Sequence, residues 1–338
     1  MLGTGLRGLS AAGVLLAGLG WAADKPAPRQ TIELTPNAAL RLSAISPNGE
    51  FIAGACKDGK IRVWEISSGK LIRTLELGQG GSDAESMQFS QDGTVLAAGG
   101  HAANVRLWSL STGELKDQLT TGAPVDVVAL SPDLRLVAVA PAELPVEIWS
   151  LQEHKILAKL PAKFGGSAAL TFSTNGKWLA SADSDTEIRI IDLDKMAVRA
   201  TVDEVLMETF AIAFTPDSSM LLAGGADQVL AAIEPATGKV IRRFVGEPWP
   251  VSNVCISRDG RSLGAIYFDA YDSAGPAPAL VWDFSTGSVR ARLSPAKIHF
   301  AGGANVKAAT ASNQCEFASD GKLLLAGGQN QLEVWTIQ

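Results

Sequence analysis

Three observations predict the fold class: seven copies of one tight turn, a bulky apolar residue at a fixed distance after most of them, and a strand ahead of the first copy that belongs to no repeat. The class is all-β, a seven-bladed β-propeller of four-stranded antiparallel blades with the ring closed by the N-terminal strand. The turn begins as Ser46-Pro47-Asn48-Gly49 and recurs at Ser90, Ser131, Ser173, Thr215, Ser257 and Ala318. The first five steps between these starts are nearly equal, and only the last, from Ser257 to Ala318, is much longer. Pro presets φ at the second position of a type I turn, Asp or Asn suits the third, and Gly closes it. Alternating apolar segments flank each copy, so each turn joins a β-hairpin.

The second landmark sets the register. Trp64, Trp108, Trp149, Ile191 and Ile233 each lie 18 positions after the start of their turn, and Trp335 lies 17 after Ala318. Turns at Ser68-Gly69, Thr112-Gly113, Thr237-Gly238 and Thr286-Gly287 then lead into a fourth strand, such as Leu71-Ile72-Arg73-Thr74-Leu75. Four short strands per repeat make one blade. The chain stops at Gln338, before a seventh fourth strand, while Gln30-Thr31-Ile32-Glu33-Leu34 precedes the first repeat. That segment is expected to complete the last blade and leave no open edge between blades.

Val63-Trp64-Glu65, Leu107-Trp108-Ser109, Ile148-Trp149-Ser150, Val281-Trp282-Asp283 and Val334-Trp335-Thr336 stand where WD-repeat proteins carry their Trp-Asp pair. Over residues 30–338 the chain resembles that family. Only Trp282-Asp283 is literal, and the Gly-His pair that opens a family repeat is absent, so the family's buried Asp-His-Ser-Trp network is not carried over. The resemblance implies the fold and leaves function open.

Segment 1–23 differs in composition from the rest. Arg7 is the only charge before an apolar stretch from Leu9 to Leu19, and Gly20-Trp21-Ala22-Ala23 offers small residues for cleavage. This pattern predicts a secretory signal over 1–23, followed by a solvated leader over 24–29 and the propeller over 30–338. A spanning helix wants about 20 apolar residues, more than this stretch holds. The protein is therefore expected in the periplasm or secreted. The chain has three cysteines, Cys56, Cys255 and Cys315, so at most one bridge can form. Cys255 precedes its turn by two positions and Cys315 by three. That opposite parity predicts that they do not pair.

The sixth repeat breaks the rhythm. Ser257 to Trp282 is 25 positions in place of 18, and Trp282 to Ala318 is 36 where repeats three to five show 24. The extra length falls within 268–278 and 295–313. In an up-and-down meander both segments emerge at the same end of the ring, and insertions grouped on one face mark the binding side. Aromatic residues gather there: Trp249, Phe268, Tyr271, His299 and Phe300 are the candidate partner-binding residues. They could instead fold inward to pack the long loops against the ring.

Other chemistry finds little support. The net charge is −6 with no dense Lys/Arg cluster, which argues against nucleic acid. His101, His154 and His299 are scattered, and no Cys-x-x-Cys is present, so no metal site is assigned. Gly-Gly pairs at 99–100, 224–225 and 327–328 recur at one register and are packing glycines, not phosphate loops. Thr237-Gly238-Lys239 resembles the turn of quinoprotein propellers but lacks the Trp that follows in them, so no cofactor is assigned. Asp83, Glu85, Asp126, Glu208, Asp269 and Asp272 lie on the inferred binding face with no identifiable nucleophile or base, so no catalytic residue is assigned. The expected function is a non-enzymatic, exported, monomeric propeller that binds a protein or peptide partner. The alternative is a propeller enzyme or a sugar or small-molecule binder using the central funnel on the same face.

Overall fold

The computed structural model describes residues 30–34, 40–77, 84–141, 144–160, 167–183, 187–202, 208–268, 278–295, 314–326 and 331–337. The segments 1–23 and 24–29 lie outside them. Strand β1 (Gln30–Glu33) comes first. Blade one is β2 (Leu40–Ile45), β3 (Phe51–Cys56), β4 (Lys60–Glu65) and β5 (Lys70–Glu76). Blade two is β6 (Ala84–Phe89), β7 (Val95–Gly100), β8 (Asn104–Ser109) and β9 (Leu115–Thr120). Blade three is β10 (Val125–Leu130), β11 (Leu136–Pro141), β12 (Val146–Ser150) and β13 (Lys155–Leu160). Blade four is β14 (Ser167–Phe172), β15 (Trp178–Asp183), β16 (Ile188–Asp192) and β17 (Ala197–Val202). Blade five is β18 (Thr209–Phe214), β19 (Leu221–Gly225), β20 (Leu230–Ile233) and β21 (Val240–Phe244). Blade six is β22 (Val251–Ile256), β23 (Ser262–Tyr267), β24 (Ala279–Asp283) and β25 (Val289–Leu293). Blade seven is β26 (Gln314–Phe317), β27 (Leu323–Ala326) and β28 (Gln331–Trp335), with β1 as its fourth strand.

Each blade is a four-stranded antiparallel sheet in meander order, and the seventh runs β1-β28-β27-β26. Gln30 lies opposite Val334 and Glu33 opposite Gln331, so the closure expected from the unassigned segment is present. The bulky landmark residues form the cores between blades: Trp64, Trp108, Trp149, Trp282 and Trp335 are all buried. In blades one to six that residue sits at a register shift between third and fourth strands, as between Val63 and Trp64. Such bulges increase local twist.

The repeated turn has a second function. Its first residue donates a hydroxyl hydrogen bond to the Asx side-chain oxygen two positions on, 2.6 Å from Ser257 to Asp259. The hydroxyl oxygen in turn accepts the N–H that opens the next strand, 2.9 Å from Ser262. Ser46, Ser90, Ser131, Ser173 and Thr215 repeat the pattern. The hydroxyl and a neighbouring backbone N–H hold the Asp217 and Asp259 carboxyls below the usual carboxylate range. Blade seven has Ala318 at that position and lacks these hydroxyl bonds. Its hairpin is also one residue shorter, since Ala318 N–H bonds the carbonyl of Lys322 where Ser257 bonds that of Ser262. This accounts for the shorter step to Trp335.

Neighbouring blades pack face to face. Gly99 and Gly224 sit against the next blade's inner strand, where an added Cβ would lie 2.6 Å from Val125 and Val251 respectively. Ser86 and Gln88 accept the backbone N–H groups of Val128 and Leu130 across one such seam, at 3.0 and 2.6 Å. At the outer rim, Arg73 and Arg242 donate to carbonyls in the turn of the following blade, and Asp117 pairs with His154 at 3.0 Å.

The unpaired reading of Cys255 and Cys315 is wrong. They form a disulfide, with Cα atoms 5.8 Å apart. Opposite parity would separate them within one sheet, but they lie on facing sheets. Cys255 points forward from blade six and Cys315 points back from blade seven, so opposite parity brings them together. Asn253 confirms the register by accepting the Cys315 N–H at 3.4 Å, the same relation as Ser86 to Val128. Cys56 is free and buried. By chain entropy a bridge with a sequence separation of 60 is worth about 4 kcal/mol.

Two outcomes follow. Removal of residues 30–34 leaves the edge of β28 unpaired and should abolish cooperative unfolding or cause aggregation, read by calorimetry and light scattering. The Ser257→Ala change removes two hydrogen bonds in one turn and should lower stability by about 1–2 kcal/mol in a denaturant titration, with the ring retained.

Candidate functional site

The inner strands line one mouth of the central channel, a cavity of about 270 Å³. A second register shift builds it. In blades one to six the inner strand bulges near its start, as between Ala84 and Ser86 or between Val125 and Val127. The residue skipped in each is Arg41, Glu85, Asp126, Ala168, Phe210 or Ser252. A bulge re-aims the side chain of its extra residue, and Glu85, Asp126, Phe210 and Ser252 line the mouth together with Asn253 and Gln314. Glu85 meets His101 at 3.3 Å. Two carboxylates from adjacent blades, several amide and hydroxyl groups and one aromatic face therefore converge on the axis. Sequence reasoning had placed Glu85 and Asp126 on this face but missed Phe210 and Ser252. Their signal is a constant offset of five positions before the repeated turn.

The aromatic residues expected to bind a partner divide. Phe268 is 1% exposed and stacks at a tilt on Phe210, ring centres 5.9 Å apart. Its ring points inward, as the alternative of loop packing anticipated. Trp249 is half-buried and packs on the same cluster. Tyr267 is fully buried, and burial pushes its hydroxyl above the ordinary tyrosine range. That hydroxyl lies against Gly246, where only glycine leaves room. Tyr271, His299 and Phe300 lie outside the described residues, as do Asp83, Asp269 and Asp272. Val245, in the connection to blade six, is 85% exposed.

The opposite mouth of the channel is a cavity of about 490 Å³, rimmed by Pro47, Gln91, Pro132, Thr174, Pro216 and Arg258 of the hairpin turns. Arg258 donates to the carbonyl of Pro47 at 3.1 Å and thereby spans blade seven to reach blade one. Glu316 lines the wall beside it. Loss of solvent around the Glu316 carboxyl pushes its pKa up to about 8, against a partial downward pull from Arg258. Among the described residues no group of three His, Cys, Asp or Glu side chains is placed to hold a metal ion.

The Glu316 shift gives a signed pH dependence. The unfolded chain loses this proton near 4.5 and the folded chain near 8, so its contribution makes stability fall as pH rises through that window and level off above it. Glu316→Gln should raise the thermal midpoint at pH 8 and change it much less at pH 4.5, measured by parallel melts.

A family model described as WD domain, G-beta repeat matches residues 36–65, 69–109 and 155–192. The third match starts at β13, the outer strand of blade three, and ends at β16 of blade four, so the sequence repeat is offset by one strand from the blade. Among curated proteins, the chain is 28% identical over 204 residues to the Periodic tryptophan protein 2 homolog of Schizosaccharomyces pombe, covering 60% of this chain and 21% of that protein. It is 24% identical over 186 residues to Protein groucho of Drosophila melanogaster, covering 52% and 25%. It is 28% identical over 169 residues to Transducin-like enhancer protein 2 of Mus musculus, covering 49% and 21%. The chain thus spans between a fifth and a quarter of the length of these relatives. With three segments that match this model and seven four-stranded blades closed into a ring, the chain is a seven-bladed β-propeller with repeats of the WD type.

Proposed function

We propose that the ring is an exported, non-catalytic scaffold that binds a protein or peptide partner across the face bearing the blade-six insertions. One observation carries the reading: both departures from the repeat rhythm leave the ring at the end where the channel mouth opens. The inner strands begin at that end, and β23 and β25 finish there, just ahead of the two inserted segments. Exposed Val245 and half-buried Trp249 place apolar side chains in the connection that enters blade six, residues of the kind that anchor interfaces. The WD-repeat match supports an interaction role. Export is supported by the apolar segment ahead of the propeller and by the Cys255–Cys315 bridge, since disulfides persist in oxidising compartments.

A second reading draws on Glu85 and Asp126. Two carboxylates at the mouth favour a small polar or cationic molecule in the funnel.

The test uses the mature chain as bait in the exporting cell, followed by measured affinities for the protein recovered. Tyr271→Ala and Phe300→Ala should each weaken binding by about 1–3 kcal/mol with an unchanged melt. Trp249→Ala should weaken binding and also lower stability, because its ring packs on the core. Ser68→Ala, at the opposite end, should do neither. Normal binding by the aromatic variants with loss in Glu85→Gln and Asp126→Asn would favour the funnel reading. The N-terminus of the recovered protein checks export, and an intact Met1 in the cytosol would overturn it.

A further inference from the structure

We propose that the Cys255–Cys315 disulfide is a redox latch on the seam between blades six and seven, and that a dithiol reductant releases the closing blade.

Blade seven is the most weakly tied unit of the ring. Its strands come from both ends of the chain, so β1 is held to β28 only by hydrogen bonds and packing. On its other side, twenty residues separate β25 from β26, where the other connections between blades that run from an outer to an inner strand, from β5 through β22, have four to seven. A longer connection restrains its ends less. The hairpin turn of blade seven also lacks the hydroxyl bonds that brace the other six, because Ala318 replaces Ser or Thr. The bridge joins the inner strands of blades six and seven directly and bypasses the long connection. The one disulfide of the ring therefore lies where the covalent tie is loosest.

The surroundings of the bridge make it conditional on seam opening. Cys255 and Cys315 are 4% and 5% exposed. Cys255 packs beneath Gly264, where an added Cβ would lie 2.8 Å from the sulfur, 3.3 Å from Phe317 and 3.5 Å from Leu323. An attacking thiolate needs a line of approach to a sulfur, so exchange proceeds only while blade seven is displaced. One thiolate of the dithiol then attacks a bridge sulfur and forms a mixed disulfide, displacing the other cysteine as a thiolate. The second thiol of the reductant resolves the intermediate and leaves as the cyclic disulfide. Two electrons pass to the bridge, and the two cysteine sulfurs end as protonated thiols. Reduced, both side chains still fit the seam as small apolar groups, so the ring closes but opens more often.

Hydrogen exchange on the full chain tests the latch. Non-reducing peptide mapping should first recover the 255–315 linked peptide, and its absence overturns the proposal. Dithiothreitol should then speed backbone exchange at least tenfold in β26, β27, β28 and β1, with blades three and four unchanged. Reoxidation should restore protection. The double variant Cys255→Ala, Cys315→Ala should exchange like the reduced protein under both conditions, and it separates loss of the bridge from side effects of the reductant. Uniform acceleration across all blades, or none at the seam, overturns the proposal.

Discussion

The pairing of β1 with β28 is the constraint on which the remaining structure rests. A blade buries only part of its apolar surface within itself. Trp64, Trp108, Trp149, Trp282 and Trp335 are covered because a neighbouring blade lies over each of them. In an open row of blades the two end faces would stay wet. Closing the row removes both ends at once, and a strand from one terminus completing the sheet of the other makes that closure part of the backbone hydrogen-bond network. The offset between the matched sequence repeat and the blade expresses the same fact, since a repeat that opens on an outer strand always supplies the blade before it.

Contacts between blades are as regular as those within them. Glycines late in the second strand admit the next inner strand at Val125 and Val251. Side chains on the forward face accept backbone N–H groups from the next blade, as Ser86, Gln88 and Asn253 do. Arg73, Arg242 and the Asp117–His154 pair hold the outer rim. The Cys255–Cys315 bridge replaces one such contact with a covalent bond, placed beside the blade whose chain connection is longest.

The same regularity positions the candidate site. A bulge at one offset recurs in the inner strands of blades one to six, and in four of them its extra residue lines the channel mouth, so site chemistry varies by point substitution on a constant frame. Here the frame presents Glu85, Asp126, Phe210 and Ser252. Phe210 also packs on Phe268, which ties the mouth to the aromatic cluster under Trp249.

Sequence periodicity by itself determined the number of blades, their four strands, the landmark cores and the closing strand. Each follows from local turn chemistry repeated at a fixed spacing, and hydrophobic alternation then has one register that buries it. The locations of the two insertions were likewise legible, as lengthened steps from Ser257 to Trp282 and from Trp282 to Ala318. Tertiary structure decided the rest. Cysteine pairing depends on which sheet faces which, and parity counted along one strand cannot express the relation between two facing sheets. The roles of Phe268 and Phe210 depended on bulges and on a neighbouring blade, so the first turned into the core and the second to the axis. The raised pKa of Glu316 depends on the channel wall assembled around it. In each case the deciding contact lies between residues of different blades, brought together by ring closure and not by spacing along the chain.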